Sequence, residues 1–259
     1  MKFDRVFVMC AALLVAGVSG VLAEAPASAP AVAVGSNVAD QPSPKGRDGV
    51  IDKNFEARHE KYVELAKKGG IDLYFIGDSI TDGWHGSGKE VWKKEFAGWN
   101  AENFGIGGDR TQHVLWRLEN GELDGVKPKV FVMMIGTNNL GGNTDDQIVA
   151  GNAAIIKELE TTNPQAKILL LGIFPRWANR APKGEEQSEK TMDRIKLINE
   201  KLAKLDDGKN VKFFDFGDKF LAADGTLPKG IMPDGLHPNA KGYEIWAEAI
   251  EPKVKELLK

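Results

Sequence analysis

The chain has 259 residues, of which 42% are hydrophobic and 27% charged, and a net charge of -3. That length and balance fit one globular domain of moderate size. They exclude an electrostatic case for nucleic acid, since no long basic run occurs.

Lys2 and Arg5 precede a mostly apolar run from Val6 to Leu22, and Val21-Leu22-Ala23 offers a small-residue cleavage site before Glu24. Residues 1–23 therefore read as a secretory signal peptide; an uncleaved anchor is the alternative. The apolar stretch is too short and too interrupted by Gly and Ser for a transmembrane helix, so no stable membrane insertion is expected once it is removed. Cys10, the sole cysteine, lies inside it, and the mature chain would have none. Export without disulfides predicts a periplasmic or secreted bacterial protein. Residues 24–50 are Ala, Pro, Ser, Val and Gly without periodicity, which predicts a flexible linker ahead of a folded domain over 51–259.

In that domain Phe55, Tyr62, Leu65 and Ala66 recur at roughly helical spacing up to Gly69-Gly70. An alternation follows. Residues 73–76 read as a strand, 90–96 as a short helix and 101–104 as a short strand. Residues 114–118 have helical spacing, 129–135 form a strand apolar on both faces, and 147–160 are helical. Then come a strand over 167–173, a helix over 192–205, a strand over 211–214 and a closing helix over 243–258. Strands that are unbroken apolar runs are buried on both faces. The fold class is α/β: a three-layer α/β/α sandwich around a parallel sheet of about five strands.

The unusual residues fall at the carboxyl ends of these strands, where open α/β sheets place their ligands. Gly77-Asp78-Ser79 follows the first. The run Asn103 to Thr111 (Asn-Phe-Gly-Ile-Gly-Gly-Asp-Arg-Thr) follows the second, and Gly136-Thr137-Asn138-Asn139 the third. Asp234-Gly235-Leu236-His237-Pro238-Asn239 lies beyond the last. Ser79 is a candidate nucleophile or a plain helix cap. His237 can serve as its base, and Asp234, three residues earlier, can fix the ring; a satisfied loop histidine is the alternative. The N–H groups of Ser79 and Gly108 and the Asn138 side-chain amide can form an oxyanion hole. Equally, Gly107-Gly108 can be a tight turn and Asn138 a turn residue.

These four blocks resemble the signature of the SGNH (GDSL) hydrolases, named for a Ser, a Gly, an Asn and a His in separate blocks. Within that family the run from Asn103 to Leu123 is most similar to the platelet-activating-factor acetylhydrolase catalytic subunits. The likeness extends over roughly residues 72–257. It implies a flavodoxin-like SGNH fold and a serine esterase with Ser79 as nucleophile, His237 as base and Asp234 as its orienting partner. It also implies Ser79, Gly108 and Asn138 as oxyanion donors. The reaction it implies needs no cofactor or metal. The expected substrate is a small-molecule or glycan ester, most readily a carbohydrate O-acetyl group for an exported enzyme. A phospholipid acetylhydrolase, lysophospholipase or thioesterase on the same fold is the alternative, and a non-catalytic glycan-binding module a further one. A homodimer is one arrangement that the sequence leaves open.

Other signals are set aside. Gly86-Ser87-Gly88-Lys89 lacks the Ser/Thr and the strand context of a phosphate loop. His59, His85, His113 and His237 have no metal-ligand spacing. Asp78 reads as a structural hydrogen-bonding residue. Trp84 and Trp92 are pocket wall or core, Trp116 is core, and Arg110 and Arg176 are anion ligands or surface charge. The polar segment 176–190 is a candidate rim of the site.

Overall fold

The computed structural model describes residues 33–177 and 185–259, the side chains of 185–188 aside. The signal peptide, residues 24–32 of the linker and residues 178–184 of the 176–190 segment lie outside those residues.

A two-stranded antiparallel hairpin, β1 (Gly46–Arg47) with β2 (Val50–Ile51), leads into α1 (Lys53–Lys68). Then follow β3 (Leu73–Gly77), α2 (Ser79–Asp82), α3 (Lys89–Glu95), β4 (Ala101–Asn103), α4 (Thr111–Arg117) and β5 (Val130–Met134). The chain continues through α5 (Asp145–Thr162), β6 (Lys167–Leu171), α6 (Glu185–Leu202), β7 (Val211–Phe214) and α7 (Ala240–Leu257). Polar side chains mark the long helix starts. Asp52 accepts from the Phe55 N–H at 2.9 Å, Thr144 and Gln147 form a reciprocal box, and Asn239 accepts from Gly242.

The strands β3 to β7 make one sheet in the order β4-β3-β5-β6-β7, every pair parallel. Strand residues alternate between its faces. Tyr74, Ile76, Phe131, Met133, Ile168 and Leu170 pack under α1, α4, α5 and α6. Leu73, Phe75, Val130, Val132, Leu169 and Leu171 pack on the other face with Phe96, Tyr243, Trp246 and Ile250. Each such buried side chain contributes about 1.5–3 kcal/mol, so β3 and β5, buried throughout, form a rigid base. The chain passes from β3 to β4 on one side and then to β5 on the other. The strand order therefore reverses between β3 and β5, and in α/β sheets the crevice at that point is where sites form.

The linker expectation needs correction. Residues 33–50 are not a free tether ahead of the domain; they lie on it as a strap. Ser43 and Ala39 are buried. The Ser43 N–H donates to Gln112 O at 3.1 Å, Thr111 Oγ1 donates to Ala39 O at 2.7 Å, and Asn143 donates to Asn37 O at 2.8 Å. This segment is held by backbone carbonyls and small polar groups, which leave no hydrophobic period to read.

Candidate active site

The turn after β3 is built by contacts rather than propensity. A Cβ on Gly77 would lie 2.0 Å from Thr81 Oγ1 and 2.6 Å from Met134 O, so only glycine can pass here. Asp78 then accepts from the Ile80 N–H at 2.9 Å and caps α2. Asp78, not Ser79, is the helix cap, which leaves the serine hydroxyl for other work. From α7, the Tyr243 hydroxyl donates to Ile80 O at 2.6 Å and pins the turn. Burial pushes the Asp78 carboxyl up to about 7, against the hydrogen bond from Ile80 and the charge of Arg176.

The structure brings Ser79, His237 and Asp234 together. Ser79 Oγ and His237 Nε2 are 2.8 Å apart, and His237 Nδ1 lies 2.6 Å from Asp234 Oδ2. Asp234 Oδ1 accepts from the His237 and Leu236 N–H groups at 2.7 and 3.0 Å. Burial raises the Asp234 carboxyl, but those two N–H groups and the imidazole outweigh it and hold it below the ordinary carboxylate range. An ionised Asp234 favours the tautomer with the ring proton on Nδ1, which turns Nε2 toward the Ser79 hydroxyl as an acceptor. Gly235, at φ +70°, turns the Asp234–His237 loop, and the Trp177 ring covers its bare Cα.

The glycine block lies beside the same serine, and the asparagine block is tied to the glycine block. A Cβ on Gly107 would stand 3.8 Å from Ser79 Cβ, which places that glycine against Ser79. Gly108 has φ +77°. Asn138 donates one amide hydrogen to Asp109 O at 2.8 Å, which leaves the other available. Among the described residues no carbonyl accepts from the Ser79 or Gly108 N–H. The Gly107–Gly108 turn thus lies beside Ser79, and Asn138 is tied to the end of that turn through Asp109 O.

Below this loop is a buried ionic cluster that the sequence reading missed. Arg117 donates to Asp109 Oδ2 at 2.9 Å, to Phe104 O at 3.1 Å and to Glu122. Glu122 in turn contacts His59 Nδ1 at 2.9 Å. Burial opposes the Arg117 charge, yet Glu122 and Asp109 beside it raise its pKa above the usual value, so it stays protonated. The signal was present: Arg117 sits between Leu115 and Leu118 on a short helix, where a charge needs a buried partner. His113 accepts from the Arg110 N–H, and burial followed by the charges of Lys45, Arg110 and Arg117 lowers it to about 3.

The remaining readings sort as follows. Trp84 is core, packed with Phe75, Trp92, Phe96, Tyr243 and Trp246. Trp92, partly buried, packs against the same cluster. Trp116 packs at a tilt against Phe55 and His59. Arg110 donates to Asn37 Oδ1 at 2.6 Å and fastens the strap; Arg176 donates to Thr137 at 3.2 Å beside the third block. Among the described residues no group of three His, Cys, Asp or Glu could hold a metal, and no helix is long and apolar enough to cross a membrane. A cleft of about 900 Å³ opens between α6 and residues 215–227 and meets the site at Trp177. It contains none of Ser79, Asp234 and His237.

Comparison with known proteins gives the family. The sequence profile of the GDSL-like lipase/acylhydrolase family matches residues 75–245. The chain belongs to that family. Its members are acylhydrolases, and this acylhydrolase acts on ester bonds. It is 36% identical over 223 residues to the human platelet-activating factor acetylhydrolase IB subunit alpha1, covering 86% of this chain and 91% of that one. Its fold is similar to a GDSL-like lipase from Bacteroides thetaiotaomicron (TM-score 0.58, 20% identity, 77% of this chain and 98% of that one). It is likewise similar to a carbohydrate acetylesterase family member from Sinorhizobium meliloti (TM-score 0.55, 20% identity, 72% and 98%).

Proposed function

We propose that the protein is a serine esterase of acetyl groups, with Ser79 as nucleophile, His237 as general base and acid, and Asp234 as the group that orients the ring. The observation that carries this reading is the continuous relay from Ser79 Oγ through His237 to Asp234 Oδ2, with contacts of 2.8 and 2.6 Å. His237 Nε2 takes the hydroxyl proton as Ser79 Oγ attacks the ester carbonyl. The oxyanion forms between the Ser79 and Gly108 N–H groups and the Asn138 amide. His237 then protonates the leaving alcohol, and water, deprotonated by the same ring, attacks the acyl-enzyme and frees the acid.

The acyl side is short in this reading. Ser79, Gly108, Asn138, Asp234 and His237 are all half-buried at the surface, and Ile80 and Ile106, which follow Ser79 and precede Gly107 in the chain, are buried. The leaving alcohol is proposed to be carbohydrate, in keeping with export guided by residues 1–23. In support, the adjoining cleft offers the Trp177 ring with the carboxylates of Asp193, Asp215 and Asp218, groups that pair with sugar faces and hydroxyls. The relatives' names favour a second reading, an acetylated ether phospholipid, whose quaternary ammonium suits the same aromatic and acidic groups. Acetate release from acetylated xylo-oligosaccharides, compared with vesicles of a 2-acetyl ether phosphocholine, separates the two. Faster turnover of the vesicles would reject the carbohydrate reading.

A further inference from the structure

The two glycines that bear the oxyanion loop cannot hold its peptide in place by themselves. Gly107 and Gly108 carry no Cβ, and Gly108 stands at φ +77°, so rotation of the peptide between them meets little steric resistance. That peptide is a rigid plane in which the Gly107 carbonyl and the Gly108 N–H point in opposite directions. Whatever fixes the carbonyl therefore aims the N–H.

The strap supplies the tether. Lys45 Nζ donates to Gly107 O at 2.6 Å, a short charge-assisted bond, and a Cβ on Gly108 would lie 2.9 Å from the same nitrogen. We propose that Lys45 is a positioning residue of the oxyanion hole, its ammonium holding the Gly107 carbonyl so that the Gly108 N–H faces the reacting ester. The proposal rests on the oxyanion role given above to Gly108. Polarisation through the peptide also makes that N–H a stronger donor.

The rest of the strap is built to keep Lys45 in place. The Lys45 carbonyl accepts from the Asp52 N–H at 2.8 Å, which locks its backbone to the start of α1. Upstream, Asn37 bridges the two donor blocks. Its Oδ1 accepts from Arg110, next to the Gly107–Asp109 loop, and its Nδ2 donates to Gly142 O at 2.8 Å, just past Asn138. The strap thus ties the glycine loop and the asparagine loop to each other as well as to the ammonium.

The test uses the full chain with Lys45→Met, which keeps the stem and removes the charge, and Lys45→Arg, which keeps a cationic donor. With p-nitrophenyl acetate, Lys45→Met is expected to lower kcat by about 10²-fold, as for a misplaced catalytic group. KM should stay within about twofold, and Lys45→Arg should recover most of the rate. A crystal structure of Lys45→Met, which reads the peptide whether or not any ester is turned over, is expected to show the Gly107 carbonyl rotated away from its present direction. An unchanged carbonyl overturns the proposal whatever the rates. An unchanged kcat, or a rise in KM alone, also overturns it, the latter by making Lys45 a substrate ligand. Absence of Ser79-dependent turnover in the wild type is a different failure: it rejects the esterase reading, while the crystal structure still decides the tether.

Discussion

Arg117 Nε donates to Asp109 Oδ2 at 2.9 Å, and neither side chain is more than 1% exposed. Asp109 also presents its carbonyl to Asn138. One residue therefore joins the buried cluster of Arg117, Glu122 and His59 to a proposed oxyanion donor. The site is a surface feature fastened to an interior charge network, and its precision depends on both.

Arg117→Met is expected to destabilise the fold by about 3–5 kcal/mol, because it leaves the Asp109 and Glu122 carboxylates buried without their partner. Arg117→Lys should recover little, since one ammonium cannot reach all three acceptors of the guanidinium. Urea unfolding checks both. A loss below about 1 kcal/mol in the methionine variant would remove the cluster from the account.

Asn138→Ala is expected to lower kcat by about 10²–10³-fold through loss of one oxyanion donor. It also removes the tie to Asp109 O, which costs about 0.5–1.5 kcal/mol of stability. Steady-state kinetics beside a denaturation curve separates the effects. An unchanged kcat contradicts the donor role.

Asp78 sets a pH dependence of stability. Its carboxyl titrates at about 7 in the folded protein and near 3.9 in an unfolded chain. Between those values the folded state holds the extra proton, so by linkage the contribution of Asp78 to stability falls as pH rises from about 4 to about 7. Asp78→Asn keeps an oxygen for the Ile80 N–H and removes the titration. Its Tm relative to wild type should therefore rise across that window and level off above it. A flat difference would contradict the burial of an ionisable Asp78.

The sheet was legible because β3, β5 and β6 are unbroken apolar runs, and because each strand stops at residues with polar or glycine character. The Ser79, Gly108 and Asn138 blocks were legible for the same reason, polar and glycine residues standing out at the end of an apolar strand, and the His237 block through its Asp-Gly-Leu-His run beyond the last strand. Three things were not legible. The strap around Lys45 is held by hydrogen bonds to backbone, which leave no periodic trace, so composition alone marks it as a linker. The partnership of Arg117 with Glu122 depends on a turn in which Gly121 takes φ +107°, which spacing does not convey. The alternatives of cap or nucleophile for Ser79 are separated only by Asp78 taking the capping bond.

The most direct test of the central claim is the initial rate on p-nitrophenyl acetate, butyrate and octanoate for wild type and Ser79→Ala in parallel. The account predicts rapid acetate hydrolysis by the wild type that declines steeply with chain length. It predicts loss of turnover in Ser79→Ala with an unchanged unfolding midpoint, because the half-buried hydroxyl adds little to the core. Wild-type rates in Ser79→Ala would contradict the nucleophile assignment, and a preference for octanoate would contradict the short-acyl reading.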